Sequence, residues 1–261
     1  MEHRQPHAHI IQHVAFETMG WMLEWLVVNN YQITYTRVYD SAHPFKDAPN
    51  PDTLDLLIVL GGVMDTNQED EYPWLVEEKR FLKSCLGRTT IFGICLGSQL
   101  LAESLGGEVT TLPKPEIGWK LISTVELRSD SDEIHNLPKE IRSALVSDLK
   151  FPEWHMRTFS IPSNCVRFAS SEQCPNQGFV GRVSSQEGNS SRYVAGIQFH
   201  PEWDSTIVKA LVAGDSEEEE DGTESDGPQE LLRGFIEGEE QKTAKGWLFR
   251  FLDALCGTKS L

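Results

Sequence analysis

Cys95 lies in a stretch whose spacing could hold an enzyme's nucleophile. The stretch reads Gly93-Ile94-Cys95-Leu96-Gly97-Ser98. It follows a strand-like apolar run at residues 89–94 and opens a helix-like run at residues 99–105, which together match the strand, sharp turn and helix of a nucleophile elbow. Glycines remove the Cβ atoms that would crowd such a turn, and a helix N-terminus favours a thiolate. The pattern predicts a nucleophilic cysteine, although a cysteine in an apolar segment can also be a buried small side chain.

A second segment, His200-Pro201-Glu202, could supply the base that such a nucleophile needs. Residues two apart on an extended segment face the same side, so Glu202 can orient the imidazole of His200. A base oriented by a carboxylate, together with a distant cysteine, is the logic of a catalytic triad. We therefore predict Cys95, His200 and Glu202 as catalytic residues, where His200 alone would be taken for a surface histidine.

Four stretches of this chain resemble the class I glutamine amidotransferases, closest in pattern to stand-alone proteins similar to the glutaminase domain of GMP synthase. In chain order they are Leu60-Gly61-Gly62, residues 93–102, Glu116-Ile117-Gly118-Trp119 and Gln198-Phe199-His200-Pro201-Glu202. They span roughly residues 9–210. The resemblance implies hydrolysis of the glutamine side-chain amide through a γ-glutamyl thioester, with release of ammonia and glutamate.

Thioester chemistry also needs hydrogen-bond donors for the oxyanion of the tetrahedral intermediate. One donor is expected from the backbone N–H of Leu96, directly after the nucleophile, and the other from Gly62 in the loop after the third strand. Gly61 is expected to let the backbone approach the substrate closely, although a glycine pair can also be a simple turn. By resemblance Gln99 is a substrate contact; the alternative is an ordinary polar residue in the first helical turn.

One stretch departs from the family's pattern. Where relatives commonly read Trp-His-Gly-Asp-Thr-Phe, this chain reads Trp154-His155-Met156-Arg157-Thr158-Phe159. By resemblance that loop lines the end of the pocket that holds the substrate's α-amino and α-carboxylate groups, so His155, Met156 and Arg157 are expected to bind substrate. Arg157 in place of an acid removes a partner for ammonium and offers one for carboxylate. We expect a substrate other than plain glutamine, or slow turnover of glutamine; the alternative is that backbone atoms bind while side chains 156 and 157 face solvent.

The composition favours a soluble, cytoplasmic protein. The chain has 261 residues, of which 39% are hydrophobic, and its five cysteines are an odd number without tight spacing, which suits a reducing compartment rather than a disulfide scaffold. Residues 1–6 lack the apolar core of a signal peptide, and the longest apolar stretch, residues 56–64, is too short to span a bilayer. A net charge of -17 argues against a general nucleic-acid binder.

The acidity is concentrated in one segment, and the histidines near the N-terminus form no predicted metal site. Residues 215–226 hold eight carboxylates and no base, so a disordered insertion is predicted there; an interaction or phosphorylation role for Ser216 and Ser225 remains open. His9 and His13 are four residues apart, roughly 13 Å on a strand, too far to share an ion. We predict neither a metal nor a cofactor.

Alternating strand-like and helix-like runs predict an α/β fold, with a mostly parallel central sheet flanked by helices and a smaller antiparallel portion between residues 108 and 199. This is the flavodoxin-like fold of the family that the motifs resemble. Ligands of open α/β sheets bind beyond the carboxyl ends of the strands, where Cys95 would lie. The predicted organisation is a flexible tail at 1–8, a catalytic domain at 9–212, the acidic insertion at 213–228 and a C-terminal helix, packed on the domain, within 229–261.

Three classes of function remain open. The first is a Cys-His-Glu amidohydrolase acting on glutamine or on a γ-glutamyl amide or peptide. The second is another branch of the cysteine-elbow superfamily, such as chaperones or deglycases, against which the His200-Pro201-Glu202 segment argues. The third is a binding or regulatory protein without efficient turnover, which only the altered 154–159 stretch supports. Because we find neither a second catalytic domain nor a Gly-Lys-Ser phosphate loop, either a separate synthase subunit accepts the ammonia or hydrolysis is itself the function.

Overall fold

The computed structural model describes residues 4–124, 137–145, 148–218, 231–235 and 238–258. The strands are β1 His7–Gln12, β2 Gln32–Arg37, β3 Leu56–Val59, β4 Thr90–Ile94, β5 Val109–Thr124, β6 Leu149–Phe159, β7 Cys165–Ser170, β8 Gly178–Ser184 and β9 Ser191–Ile197. The helices are α1 Trp21–Val28, α2 Trp74–Cys85, α3 Leu96–Ser104, α4 Lys139–Ala144, α5 Ser205–Glu218 and α6 Glu239–Cys256. A short 3₁₀ turn covers Pro51–Thr53.

These strands form one mixed sheet in the order β2-β1-β3-β4-β9-β8-β7-β5-β6. The first five pair in parallel, and from β9 onward the pairing is antiparallel. All four residues of β3 are buried, because helices cover both faces of a parallel sheet. A strand in that position is therefore made of apolar side chains. The predicted α/β fold, with its parallel sheet and added antiparallel portion, is confirmed.

The antiparallel portion contains a long two-stranded arm that the sequence patterns do not predict. In this arm β5 pairs with β6 from Val109↔Phe159 to Ile122↔Leu149, with a register shift between Thr111 and Glu116. The 154–159 stretch, expected to be a loop, is therefore part of a strand. Charged residues and prolines interrupt the apolar alternation in both strands, so only the pairing itself reveals them.

Helix α6 closes one face of the sheet with aromatic side chains. Trp247 and Phe251 stack within the helix, with ring centroids 4.9 Å apart, and both are 1% exposed. Trp247 packs edge-on against Phe151 of β6 at 5.2 Å, and Phe251 lies 5.8 Å from Phe92 of β4. Burying aromatic rings of this size is a large hydrophobic contribution, which fixes the helix against both halves of the sheet.

Several element boundaries differ from those expected. β1 begins at His7, inside the stretch predicted as a tail, because its first residue already pairs with Gln32 of β2. Helix α5 continues to Glu218, past the predicted domain end at residue 212 and into the segment predicted to be disordered. The rest of that segment, residues 219–228, lies outside the described residues. Within the described ranges, none of the helices combines the length and apolarity needed to cross a lipid bilayer.

Candidate active site

Cys95 lies at the turn between β4 and α3, with a backbone that few residue types adopt. Its φ of 49° is positive and its ψ is -112°, a conformation that costs of the order of 1–3 kcal/mol for a side chain other than glycine. A Cβ on Gly97 would lie 2.1 Å from the carbonyl oxygen of Val59, and one on Gly93 would lie 2.5 Å from that of Gly97. Both glycines are therefore required by backbone contacts, and the backbone has the elbow shape that the spacing predicts.

Parallel pairing of β4 with β9 brings the histidine segment to the elbow. The backbone N–H of Cys95 donates to the carbonyl oxygen of Ile197, the last residue of β9, at 2.8 Å. Three residues later the Nδ1 of His200 lies 2.8 Å from Oε1 of Glu202. The ring of Trp203 stacks on the imidazole, with centroids 3.8 Å apart. The imidazole is thus held at one nitrogen and along one face.

The electrostatics of this segment suit a proton shuttle. His200 and Glu202 are 1% and 2% exposed. Burial alone would lower the pKa of His200, but the carboxylate of Glu202 and a hydrogen bond with Cys95 outweigh burial and hold that pKa well above 6.5. An imidazole that is hydrogen-bonded to a thiol and oriented by a carboxylate is the arrangement of a general base beside a nucleophile.

The other four cysteines are poor candidates for the nucleophile. Burial raises the pKa of the thiols of Cys85, Cys165 and Cys256 to about 12 and that of Cys174 to about 11. None of the five cysteines forms a disulfide within the described part of the chain. A thiol that remains protonated at neutral pH reacts slowly, so these four cysteines do not compete with Cys95 as candidates; the role of Cys95 as nucleophile stays a prediction.

The loop after β3 lies against the first turn of α3, as the expected oxyanion site requires. The N–H of Gly97 donates to the carbonyl oxygen of Leu60 at 3.2 Å. A Cβ on Gly62 would lie 3.0 Å from Cδ2 of Leu96. Gly62 and Leu96, the two predicted donors, therefore belong to segments in direct contact; their role as donors stays a prediction.

A buried carboxyl group that the sequence analysis did not identify lies beside this loop. A Cβ on Gly61 would lie 2.3 Å from Oε2 of Glu17 and 3.2 Å from Cε1 of His200. Burial raises the pKa of Glu17, and nearby Glu202 raises it further against the opposing effect of His200. Glu17 lies in the connection between β1 and α1, where no sequence motif marks it.

Of the predicted substrate contacts, His155 lies in a buried cluster of charges. Its Nδ1 donates to the carbonyl oxygen of Arg157 at 2.8 Å, and its Nε2 lies 3.1 Å from Glu153 and 3.3 Å from Glu116. Burial would lower the pKa of His155, but the two carboxylates raise it to about 10, so this ring is an imidazolium. The alternation of β6 places Glu153 and His155 on one face, a signal that would have linked them had the strand been predicted.

Among the described residues, this cluster is the one place where three histidine, cysteine or carboxylate side chains lie close enough together to hold a metal ion. The ligand atoms of Glu116, Glu153 and His155 lie within 4.8 Å of one another. A protonated imidazole between two carboxylates accounts for the same arrangement by charge balance.

Arg157 and Met156 differ in their surroundings. The guanidinium of Arg157 binds both carboxylate oxygens of Asp65, at 2.8 and 2.5 Å, and donates to Oγ1 of Thr111 at 2.6 Å. Met156 is 54% exposed. A substrate carboxylate would therefore have to compete with Asp65 for Arg157. No sequence motif marks Asp65, which is 92 residues away along the chain.

Gln99 lies on the buried side of α3. It is 4% exposed, and its Nε2 donates to Oε1 of Gln198 at 3.2 Å. Gln198 is the first residue after β9, in the same segment as His200. The contact of Gln99 with substrate stays a prediction.

The fold and this site define a class of protein: the chain belongs to the class I glutamine amidotransferase family. The profile of that family, described as "Glutamine amidotransferase class-I", matches residues 20–213. The glutamine amidotransferase-like protein YfeJ of Salmonella typhimurium is 30% identical over 256 residues, which cover 95% of this chain and 96% of that protein. A GMP synthase (glutamine-hydrolyzing) of Tolumonas auensis is 31% identical in the matched region, which covers 46% of this chain and 21% of that enzyme.

Solved structures agree with this assignment. A glutamine amidotransferase from Thermotoga maritima superposes with a TM-score of 0.76 at 28% identity, covering 98% of this chain and 100% of that one. A glutamine amido transferase from Methylobacillus flagellatus gives a TM-score of 0.75, also at 28% identity, covering 96% and 95% of the two chains. The family resemblance predicted from the four motifs is confirmed.

Proposed function

We propose that this protein hydrolyses the side-chain amide of glutamine, or of a γ-glutamyl amide or peptide, through a thioester on Cys95. The observation that carries the proposal is the joining of Cys95 to Glu202 through one buried imidazole, at an elbow that opens a helix. Family membership supports an amide of glutamine as the reacting group. The individual roles of the residues rest on the geometry described above.

In the first half-reaction the Cys95 thiolate attacks the amide carbon, and the carbonyl oxygen becomes an oxyanion. The backbone N–H groups of Leu96 and Gly62 donate hydrogen bonds to that oxygen. The imidazolium of His200 gives its proton to the departing nitrogen, the C–N bond breaks, and ammonia or an amine leaves. A γ-glutamyl thioester remains on the sulfur.

In the second half-reaction water attacks the thioester carbon. His200, now neutral, accepts a proton from the water, and the same backbone donors bind the second oxyanion. The C–S bond breaks, glutamate leaves, and the thiolate and imidazolium are restored. Throughout, the carboxylate of Glu202 at 2.8 Å from Nδ1 orients the ring and stabilises its cationic form.

Arg157 bears on which substrate the protein prefers. Since Asp65 already binds the guanidinium at two atoms, the arginine and its partner together add no net charge to this end of the pocket. The pair thus offers no free carboxylate to the α-ammonium of the substrate, whereas the second residue of a γ-glutamyl peptide, on the departing amine, can make contacts that free glutamine cannot. We therefore favour γ-glutamyl peptides over free glutamine.

The experiment is a comparison of substrates with the purified protein. Release of glutamate, together with ammonia or free amine, is measured for glutamine, γ-glutamyl amides and γ-glutamyl dipeptides, with Cys95→Ala as the blank. We expect release from at least one γ-glutamyl dipeptide at a kcat/KM above that for glutamine. Efficient, saturable hydrolysis of glutamine alone would overturn the preference for peptides while leaving the thioester chemistry in place.

Labelling by a glutamine-like diazo-ketone separates an enzyme from a binding protein that has lost turnover. We expect covalent modification of the native protein and of Cys256→Ala, whose thiol lies outside the elbow, but none of Cys95→Ala. A well-folded protein that neither labels nor releases glutamate from any substrate would overturn the proposed function and favour a regulatory role. Intact-protein mass spectrometry gives the site and the stoichiometry.

A further inference from the structure

Another buried histidine, His13, contacts the loop that is expected to form the oxyanion site. Its Nδ1 lies 2.9 Å from the carbonyl oxygen of Gly61. Its Nε2 lies 3.0 and 3.2 Å from the two carboxylate oxygens of Glu78 in α2. Both side chains are 0% exposed. An ion pair enclosed in this way is costly to bury, so its position against a functional loop calls for an explanation.

The geometry of one peptide links His13 to the oxyanion. The carbonyl of Gly61 and the N–H of Gly62 are the two ends of a single peptide unit, which is planar and trans. In a trans peptide these groups point in opposite directions. A donor that holds the carbonyl oxygen therefore determines where the N–H points, and two successive glycines would otherwise leave that plane free to rotate.

A positive charge on His13 would strengthen its hydrogen bond to the Gly61 carbonyl oxygen. Burial alone would lower the pKa of His13, but Glu78 and the Gly61 carbonyl oxygen outweigh burial and raise it. Both ring nitrogens face oxygen acceptors, and the raised pKa favours the imidazolium, which can donate at each nitrogen. Hydrogen bonds from charged donors are stronger than neutral ones. Pulling electron density toward the Gly61 oxygen also makes the Gly62 N–H a better donor, because hydrogen bonds in series polarise one another.

Packing holds the histidine in one orientation. The ring of Trp74 stacks on it, with centroids 5.7 Å apart and planes 26° from parallel. A Cβ on Gly62 would lie 2.8 Å from Cβ of His13, so the loop and the histidine touch directly. Neither can move without the other.

We propose that His13, oriented by Glu78, is a positioning residue that holds the Gly61–Gly62 peptide so that its N–H faces the oxyanion. The inference rests on the proposed function for the identity of the reacting carbonyl, but not for its geometry, since any acyl transfer to Cys95 passes through an oxyanion. It adds a residue pair to the site that none of the motifs contains.

Two reactions of the same thiol test this proposal. Acylation of Cys95 by p-nitrophenyl acetate forms an oxyanion, whereas alkylation by iodoacetamide displaces iodide and forms none. Both rates are measured on the native protein, with the rate of Cys95→Ala subtracted. The ratio of acylation to alkylation then reports the oxyanion site alone, and it does so whether or not glutamine is the substrate.

The variants are His13→Leu, which removes the donor, and His13→Asn, whose side-chain amide can donate from the position of Nδ1. We expect the ratio to fall at least about ten-fold in His13→Leu, since losing an oxyanion donor outright costs 10²–10³, and to recover in part in His13→Asn. Glu78→Gln, which keeps an acceptor for Nε2, is expected to lower the ratio less than His13→Leu. With any substrate that is turned over, kcat should fall more than KM rises.

Leu82→Ala, a core truncation further along α2, is the control for lost stability. An unchanged ratio in His13→Leu, or an equal fall of both rates, would overturn the positioning role, as would a fall in Leu82→Ala that matches that of His13→Leu at equal stability. If His13→Leu does not fold, the ratio in His13→Asn and Glu78→Gln decides: no change in either refutes the proposal. A failure of the γ-glutamyl assay with the ratio still shifted would count against the proposed substrate only.

Discussion

Nε and one terminal nitrogen of Arg157 bind the two carboxylate oxygens of Asp65, at 2.8 and 2.5 Å. This pair connects strand β6 with the segment that directly follows Gly61 and Gly62. The arginine that stands where relatives commonly have an acid thus has an acid as its partner, supplied by a different element.

Removal of Asp65 should strengthen binding of the substrate's α-carboxylate. In Asp65→Ala the guanidinium of Arg157 loses its partner and is free to bind the α-carboxylate that glutamine and γ-glutamyl peptides share, so we expect KM to fall for both by about three-fold to ten-fold, the effect of about 1 kcal/mol. Steady-state kinetics on the two substrates measure both shifts. Asp70→Ala, an exposed acid in the same loop, is the matched control, and an equal shift there would argue for a general charge effect.

Glu202→Gln should impair turnover more than binding. The amide cannot stabilise the imidazolium of His200, and it permits the wrong tautomer; the corresponding change in a serine protease costs about 10⁴ in kcat. We expect a loss of about 10²–10⁴ in kcat, with KM changed much less. Measured rates near those of the native protein would mean that the contact between Nδ1 and Glu202 at 2.8 Å is structural only.

Two glycine substitutions should have opposite effects on stability. Gly97→Ala would bring a Cβ to 2.1 Å from a backbone oxygen of Val59, so we expect the free energy of unfolding to fall by about 1–3 kcal/mol or more. Gly246→Ala in α6 would meet only the side chain of Arg250, at 3.5 Å. There we expect a gain of about 0.5–1 kcal/mol, because alanine is the better helix former. Urea denaturation of the two variants checks both signs; a gain in Gly97→Ala would contradict the backbone contact.

His155 should contribute stability that depends on pH. Its pKa in the folded protein is about 10, above the ordinary value of 6.5. A raised pKa contributes stability that is fully present below the unfolded value and is lost as the pH rises through the folded value. The deficit of His155→Gln relative to the native protein should therefore shrink between pH 6.5 and pH 10. His43→Gln, whose side chain is 75% exposed, should run parallel to the native protein, and parallel curves for His155→Gln would contradict the prediction.

Local features of this site could be predicted because their physical requirements are local. The turn at Cys95 needs a strand, two glycines and a helix within a dozen residues, and steric crowding at one turn depends on its immediate neighbours. The pairing of His200 with Glu202 follows from two-residue alternation on an extended segment. The apolar runs at β3 and β4 likewise mark strands buried on both faces.

The two-stranded arm of β5 and β6 could not be predicted in the same way. Its strands carry prolines and charges, and their stability comes from pairing with each other rather than from intrinsic preference. The buried acids in this arm, Glu116 and Glu153, both contact His155. The pairing of β5 with β6 brings the three side chains together. When a strand is predicted as a loop, the contacts between its side chains and those of the paired strand cannot be predicted either.

The four motifs were enough to indicate the family, and Cys95 and the His200–Glu202 pair could be predicted as catalytic residues because each prediction depends on residues that are close along the chain. Which charged groups meet depends on the tertiary structure. Asp65 and Arg157 are 92 residues apart, and His13 and Glu78 are 65 apart, so no spacing relates them. Electrostatic attraction acts between whatever groups packing brings within a few ångströms, and packing is set by the whole sheet and its helices.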